Sequence, residues 1–277
     1  MSLNSVNTNV GAMIALQSLN AINQELGEVQ NRISTGLRVA SPKDNPAIWA
    51  IAQRQRSEVS GLEAVKGSLQ RGQSVAQLAI EAGESISDLL GQMKDLVVAA
   101  SDPSITAADK AALDSDYVSM RRRIDTIASA ASFGGANLIS SGSTGQIRAL
   151  ADTTGQQHID VNHVDLSTTG ATLSGLPANL SGAIASTEIG AMSTAIDQVN
   201  AAVGVLGTGA KSLDTHLTFI GKLQDTMEAS IGRMVDADIP KEAARLQSLQ
   251  VRQQLAILSL GIANNAPSIL LQLFQRR

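Results

Sequence analysis

The apolar residues between Ile189 and Met234 recur at alternating steps of three and four, and this pattern restricts the fold more than any other feature of the chain. A repeat of 3.5 residues turns one face of a helix toward a partner along its whole length. At 1.5 Å per residue the predicted helix is about 70 Å long, which indicates a rod and not an ordinary globular helix. The series is Ile189, Met192, Ile196, Val199, Val203, Leu206, Ala210, Leu213, Leu217, Ile220, Met227, Ile231 and Met234, with Gln224 as its one polar member.

Two further seams of the same kind lie upstream. The glycines and alanines of the second seam allow helices to approach each other closely. Three long helices with matching seams can bury one another, so we predict a mainly α fold in which heptad-repeat helices form a rod-like coiled-coil bundle. The second seam is Leu62, Val65, Leu69, Gly72, Ala76, Ala79, Gly83, Ile86, Leu90, Met93, Val97 and Ala100, and the third is Leu113, Tyr117, Met120, Ile124, Ile127 and Ala131.

Capping and breaking residues agree with these helix limits. Asn45-Pro46 combines a cap residue with proline at the first helical position, which predicts a helix beginning near residue 46. Asp102-Pro103 ends that helix. Thr106 with Asp109 three residues later is an acidic capping box for the next helix, and Gly134-Gly135 ends it.

The middle of the chain changes in composition to serine, threonine and glycine between about residues 138 and 185. Within it, polar and apolar residues alternate from Gln157 to Leu166 around Ile159 and Val161, which predicts a strand. We expect a small β-hairpin region on a surface and not a second core.

Both chain ends carry incomplete seams. Near the N-terminus Leu19, Ile22, Leu26, Val29 and Ile33 step by three and four, and we expect Val6, Val10 and Met13 to precede them after a stutter. Asp238 and Pro240 open a C-terminal helix. Neither helix has enough core of its own, so we expect the two to pair and to bury their outer faces on other subunits. The C-terminal apolar positions are Leu246, Leu249, Val251, Leu255, Leu258 and Ile262, followed by the tail Ile269, Leu270, Leu271, Leu273 and Phe274.

Composition excludes several classes of protein. Of the 277 residues 43% are hydrophobic and only 2% aromatic, so the apolar material is aliphatic and suits helical seams. A net charge of −4 argues against a nucleic-acid binder, which needs a basic face. The absence of cysteine rules out disulfides and thiolate ligands. The sequence contains no uninterrupted run of about 18 apolar residues, so we predict no membrane insertion. The N-terminus lacks a secretory signal pattern, so we expect that export would need a dedicated apparatus.

Two segments imitate functional motifs. The segment with His158, Asp160, His163 and Asp165 contains metal-ligand residue types, but strand alternation sends them to different faces. Residues 204–212, GVLGTGAKS, resemble a phosphate-binding loop, but the spacing is wrong and the heptad passes straight through. We therefore predict no catalytic, cofactor-binding or metal site, no cofactor, and a protein that is not an enzyme.

Residues 31–44, NRISTGLRVASPKD, resemble the N-terminal signature of bacterial flagellins, and residues 234–274, with DADIPKEAARL, QVRQQ, ANNAP and a leucine-rich end, resemble the C-terminal signature. The resemblance covers all but the Ser/Thr/Gly region, and the small middle region is similar to short, α-proteobacterial flagellins. It implies a filament subunit for swimming motility, located in the extracellular flagellum after export without a cleaved signal peptide.

The resemblance also implies a division of labour along the chain. Residues 1–40 and 236–277 would be paired terminal helices of the inner filament core, 41–137 and 186–235 a long-helix rod domain, and 138–185 a minimal outer region. The self-assembly interface would be formed by Leu19, Ile22, Leu26, Val29, Ile33, Leu37, Leu246, Leu249, Leu255, Leu258, Ile262, Leu270, Leu271, Leu273 and Phe274.

Partners implied by the resemblance are further copies of the chain, the export apparatus, an export chaperone bound by the C-terminal helix, and the filament cap and hook-associated proteins. The segment equivalent to the flagellin motif for an innate immune receptor is Leu90, Gln92, Lys94, Asp95 and Leu96. Gln92 stands where the family has arginine, and lysine does not reproduce the bidentate geometry of arginine at the second position, so we expect weak receptor activation.

Two other classes remain as alternatives. One is the hook–filament junction protein, whose termini resemble those of flagellin. The other is a cytoplasmic signalling coiled coil, which is also rich in alanine, glycine and heptads but would not explain the apolar C-terminal tail. A di-iron helical bundle would need paired Glu-x-x-His motifs, and the sequence contains none.

Overall fold

A computed structural model describes residues 8–142, 146–180 and 186–275, with side chains described up to residue 265 at the C-terminal end. It confirms a mainly α fold with two small antiparallel strand pairs in the middle of the chain. In chain order the elements are α1 (Val10–Thr35), α2 (Pro46–Ala100), α3 (Ala107–Ala130), β1 (Ser132–Phe133), β2 (Ala136–Asn137), β3 (Ile147–Leu150), β4 (His158–Val161), α4 (Ser186–Val235) and α5 (Ile239–Gln275).

The chain forms two compact units. The first, called unit 1, comprises Met1–Ser57 and Thr226–Arg277, so both chain ends contribute to it. The second, called unit 2, is the continuous stretch Glu58–Asp225, which contains the predicted Ser/Thr/Gly region. The predicted division into inner, rod and outer parts concerns positions in a filament and stays a prediction.

Local hydrogen bonds explain where the helices begin and end. The Asn9 side chain caps α1 by accepting from the Ala12 amide, and Gly36 ends that helix with a φ of 71°. The predicted caps are also present: Asn45 Oδ1 accepts from the Ile48 amide at 3.0 Å, and the Thr106 hydroxyl accepts from the Asp109 amide at 3.2 Å. The predicted end of α3 at Gly134-Gly135 is wrong: the helix ends at Ala130, and the two glycines, with φ of 60° and 84°, form the turn between β1 and β2. The helix starts were therefore predictable from local sequence.

The core of unit 2 lies between α2, α3 and α4. Side-chain contacts show α2 and α4 running antiparallel, because Ser87 bonds Asn200 at 2.9 Å whereas Glu63 bonds Gln224 at 3.0 Å. The predicted seams are the buried ones. Their most buried members are Leu62, Val65, Leu69, Ala76, Ala79, Ile86, Leu90, Met93 and Val97 on α2, Tyr117 and Ile124 on α3, and Met192, Val199, Leu206, Leu213 and Ile220 on α4. Ala128 of α3, which the predicted seam did not include, is also buried.

The hairpin formed by β3 and β4 lies on α2 and α4, and helix glycines make room for it. A Cβ at Gly72 would lie 3.3 Å from Ala149, and one at Gly209 would lie 2.8 Å from Val161. His216 Nε2 also bonds the Ala151 carbonyl at 2.8 Å. Gly209 belongs to the phosphate-loop-like segment, so its role there is close packing inside a continuous α4.

The predicted strand from Gln157 to Leu166 is shorter than expected, since β4 ends at Val161. Beyond it, the amides of Val164 and Leu166 donate to the carbonyls of Leu138 and Ile139, outside regular sheet. The polar and apolar alternation in the sequence therefore extends beyond the strand, into a segment whose amides bond residues 138 and 139 and not β3.

Polar side chains on one face of α3 hold the irregular segment 165–180. Both oxygens of Asp125 accept from Thr168, one from its amide and one from its hydroxyl, each at 2.8 Å. Asp114 accepts from the Leu180 amide, and the Tyr117 hydroxyl donates to the Pro177 carbonyl at 2.9 Å. Burial raises the pKa of Tyr117 to about 12. These bonds attach the segment to the bundle without regular secondary structure.

By length and composition alone, α4 is long and apolar enough to span a membrane, since one 18-residue window has a mean hydropathy of 1.2. Three of its heptad residues, Met192, Val199 and Leu206, are nevertheless fully buried in the core of unit 2. A long core helix rich in alanine, valine and leucine gives the same signal as a membrane span.

Candidate assembly surface

The candidate assembly surface is formed by α1 and α5, which meet the end of α4 at a junction in unit 1. The amides of Arg38 and Val39 donate to the Val235 carbonyl, and the Arg38 guanidinium donates to the Met234 carbonyl at 2.7 Å. Leu37 forms a bridge with Asp236. The segment after α1 thus satisfies the free carbonyls at the end of α4 and fixes the point where α5 begins.

From this junction α1 and α5 pack along each other through matching seams. Alternating steps of three and four separate the residues that each helix turns toward the other. On α1 they are Ala12, Ala15, Leu19, Ile22, Leu26, Val29 and Ile33, and on α5 they are Leu246, Leu249, Gln253, Ala256, Leu260 and Ala263. Polar contacts follow the seam, with Gln253 donating to Asn23 at 2.7 Å and Asn9 donating to the Ala263 carbonyl at 2.6 Å.

The predicted interface residues fall into three groups. Those inside the helix pair or the junction are half-buried or buried: Leu19, Ile22, Leu26, Val29, Ile33, Leu37, Leu246 and Leu249. Three residues on the other side of α5 are exposed, namely Leu255 (59%), Leu258 (64%) and Ile262 (74%). The side chains of Leu270, Leu271, Leu273 and Phe274 lie outside the described residues.

The expectation that Val10 and Met13 continue the α1 seam is wrong, and Val6, the third residue of that expectation, lies outside the described residues. Val10 and Met13 are both exposed, and the seam continues through Ala15 and Ala12, which lie four and seven residues before Leu19. Small side chains let the two helices approach closely, whereas the larger apolar residues face outward. A strict heptad extended back from Leu19 passes through Ala15 and Ala12. On α1 and α5 the exposed large apolar residues outside the predicted interface are Val10, Met13, Ile14, Leu16, Ile239, Val251 and Ile257.

Charge is absent from the outer parts of both helices. Residues 8–24 and 253–275 contain no Asp, Glu, Lys or Arg. Closer to the junction, Arg245 lies 3.5 Å from Glu25 and Arg32 lies 3.6 Å from Glu242. A surface combining exposed aliphatic side chains with neutral amides is typical of one that is covered by another protein chain.

The segment equivalent to the innate-receptor motif lies on α2 in unit 2. Leu90 is fully buried in the bundle, and Leu96 and Lys94 are half-buried. Gln92 and Asp95 are exposed. Only part of the predicted set can therefore contact another molecule while unit 2 is folded.

Three of the four residues of metal-ligand type, Asp160, His163 and Asp165, have other partners. Asp160 pairs with Arg148 at 3.3 Å, His163 Nε2 bonds the Ser140 carbonyl at 2.9 Å, and Asp165 accepts from the Ser167 amide. Among the described residues no group of three His, Cys, Asp or Glu is placed to hold a metal ion.

A bundle built from long heptad seams, with an exposed apolar face on helices from both chain ends, defines a class of self-associating helical structural proteins. The bacterial flagellin N-terminal helical region matches residues 6–144, and the bacterial flagellin C-terminal helical region matches residues 189–274. The chain therefore belongs to the bacterial flagellin family.

Individual relatives agree. Flagellin FljK of Caulobacter vibrioides is 48% identical over 99% of this chain and 100% of its own length. A flagellin of Brucella melitensis is 31% identical over 98% of this chain and 99% of its own. The crystal structure of Bacillus cereus flagellin, 28% identical, covers 55% of this chain and 88% of that one with a TM-score of 0.50.

This chain is accordingly a short flagellin of α-proteobacterial type, a structural subunit that polymerises into the extracellular flagellar filament used for swimming. Full-length similarity to flagellins favours this assignment over the junction protein and the signalling coiled coil.

Proposed function

We propose that the exposed apolar side of α5, together with the exposed apolar residues at the start of α1, is the surface through which copies contact one another in the filament. The observation that carries this is the stripe of Val251, Leu255, Leu258 and Ile262, spaced by four, three and four and left uncovered after α5 has paired with α1. Such a stripe is a second seam without a partner in its own chain.

Contact between this stripe and a different surface of the next copy does not close on itself, so it generates a helical polymer. Apolar burial contributes roughly 25 cal/mol per Å² and offsets the entropy lost when both chain ends become ordered. We propose that residues 1–40 and 236–277 form the inner core of the filament, 41–137 and 186–235 the next layer, and 138–185 the outer surface.

The experiment compares two double variants in seeded polymerisation, followed by sedimentation and electron microscopy. We expect Leu255→Ser/Leu258→Ser to raise the soluble concentration in equilibrium with polymer by more than about tenfold, since each buried leucine contributes about 1.5–3 kcal/mol. Gln250→Ser/Asn264→Ser changes two exposed polar residues of the same helix and should polymerise normally. Normal filaments from the leucine variant would refute the proposal.

The finer partners follow from the same surface. We propose that an export chaperone covers the apolar side of residues 240–277 before export, that the chain leaves the cell without a cleaved signal peptide, and that the filament cap and hook-associated proteins contact its exported form. Neutral residues 253–275 would let an apolar chaperone groove take α5 without charge pairing. Co-expression with the flagellar chaperone should keep the wild-type chain soluble and should fail to retain a Leu258→Asp variant.

Weak activation of the innate receptor is a separate proposal. Gln92 is exposed and Lys94 half-buried, and neither supplies the planar fork of arginine. In a reporter-cell assay Gln92→Arg/Lys94→Arg should activate more strongly than the wild-type chain. Equal activation by both would contradict it, and Gln77→Arg, an exposed site on the same helix, controls for added charge.

A further inference from the structure

Glu242, in the first turn of α5, is a buried charge whose role the assembly surface does not explain. Among the described residues it is the one buried charged residue, with 8% of the residue and 10% of its side chain exposed. Its Oε1 lies 3.6 Å from the Arg32 guanidinium of α1, and within the described structure its Oε2 has no hydrogen-bond partner. Arg32 is thus the only cation shown to compensate this carboxylate.

Glu242 is in phase with the seam that α5 turns toward α1. The steps from Glu242 to Leu246, Leu249, Gln253 and Ala256 are four, three, four and three. At about 100° per residue, Leu255 and Leu258 lie on nearly the opposite side of the helix. The two sides of α5 can therefore be called the Glu242 side and the Leu255 side.

In the outer part of α5, the side that faces α1 carries smaller and more polar side chains than the side that is exposed. Beyond Leu249 the Glu242 side offers Gln253, Ala256, Leu260 and Ala263, whereas the Leu255 side offers Val251, Leu255, Leu258 and Ile262. Over this outer part of α5, apolar area alone would turn the Leu255 side toward α1. Nearer the junction, Leu246 and Leu249 lie on the Glu242 side. In the structure the Glu242 side faces α1 and the Leu255 side is exposed.

We propose that the ion pair between Arg32 and Glu242 selects which side of α5 packs on α1 and so reserves the more apolar side for another copy of the chain. The attraction exists only when the Glu242 side faces α1. A buried pair adds little net stability over apolar residues, and its best-attested use is to specify one packing among several. The reserved side has a use only if the proposed assembly surface is correct, but the selection itself does not depend on it.

Engineered disulfides can read the orientation of α5, because the chain contains no cysteine. A Cβ at Gly11 would lie 3.8 Å from that of Ala263, which is the ordinary separation across a disulfide. Gly11→Cys/Ala263→Cys therefore reports the Glu242 side facing α1. Gly11→Cys/Ile262→Cys reports the Leu255 side turned inward. Intramolecular bonds are quantified by mass spectrometry, in soluble and sedimented fractions separately.

Removal of the cation should turn the helix. The quantity compared is the disulfide yield of Gly11→Cys/Ala263→Cys (the first disulfide) divided by that of Gly11→Cys/Ile262→Cys (the second). When Arg32→Met is added to both variants, we expect this ratio to fall by about tenfold or more, because a carboxylate left buried without its partner is strongly unfavourable. Arg32→Lys keeps the charge and should keep the wild-type ratio, and Arg32→Glu/Glu242→Arg should recover most of it. Arg245→Met removes an exposed pair on the same two helices and should change the ratio less than about twofold.

An unchanged ratio in Arg32→Met, or an equal fall in Arg32→Lys, would overturn the proposal. So would a Gly11→Cys/Ala263→Cys chain with Arg32 and Glu242 unchanged in which the disulfide forms in neither fraction. Sedimentation of the chain without introduced cysteines tests assembly independently: if the disulfide forms in the cysteine variant but the cysteine-free chain does not polymerise, the proposed assembly surface alone is contradicted.

Discussion

Gly209 of α4 lies directly against Val161 of β4, so closely that a Cβ on the glycine would approach Val161 Cγ1 to 2.8 Å. Separations below 3.0 Å between such atoms require movement of the backbone or of the valine. The glycine therefore permits the hairpin to lie on the helix. A residue that costs helix propensity is retained in the middle of a 50-residue helix because the packing requires it.

Gly209→Ala should destabilise unit 2. Overpacking a tight contact costs about 1–3 kcal/mol, which exceeds the helix propensity gained from alanine. Gly204→Ala on the same helix is the matched control, because nothing lies within 4 Å of its Cβ position, and it should stabilise by about 0.5–1 kcal/mol. Urea unfolding followed by circular dichroism measures both. Equal behaviour of the two variants would show that the hairpin does not need Gly209.

Tyr117 should make unit 2 less stable in strongly alkaline solution. Burial raises its pKa from the ordinary 10.0 to about 12. Its stabilising contribution is therefore complete below pH 10 and is lost as the pH rises through 12, because the unfolded chain ionises first. It is the one tyrosine of the chain, so its ultraviolet absorbance reports ionisation directly. Tyr117→Phe should remove this part of the pH dependence, and an absorbance midpoint near 10 in folded protein would contradict the assignment.

Local sequence predicted the helices well because their limits depend on local groups. Asn45, Pro46 and Thr106 act within a few residues of themselves, and the seams of α2 and α4 contain one dominant apolar side each. Glycine spacing in the seams likewise indicated close approach. Periodicity could not show that these glycines contact the β3–β4 hairpin, because the hairpin residues lie some 50 to 80 positions from the glycines in the sequence.

The terminal helices were harder because α5 has two apolar sides. The sequence pattern placed Leu255 and Leu258 on one apolar face with Leu246 and Leu249, which lie on the other side of the helix. The larger side chains dominate any pattern based on hydrophobicity. The deciding residues are a buried glutamate and small alanines, whose effect depends on which cation and which backbone lie opposite.

Asp125 should be needed to hold the segment 165–180 on α3. Thr168 is buried and gives both its amide and its hydroxyl proton to this carboxylate. Asp125→Ala leaves two buried donors unpaired, at a cost of about 1–3 kcal/mol each. We expect faster amide hydrogen exchange at Thr168 and earlier proteolysis of this segment. Asp116→Ala, at an exposed site on the same helix, should show neither change. If Asp116→Ala also speeds exchange and proteolysis, the effect comes from the loss of negative charge on α3 and not from the bonds to Thr168.

Acid should open the loop between α1 and α2 through Asp44. Its carboxylate accepts hydrogen bonds from the amides of Ala40 and Ser41 and from the Ser41 hydroxyl. The Ser41 backbone bond is the main cause that lowers the pKa of Asp44 below its ordinary 3.8. A lowered folded pKa means that the stabilisation is present above about pH 4 and is lost as the pH falls through the folded value. Hydrogen exchange at Ala40 and Ser41, corrected for intrinsic rates, should lose protection there, whereas Asp44→Asn should show low protection at every pH.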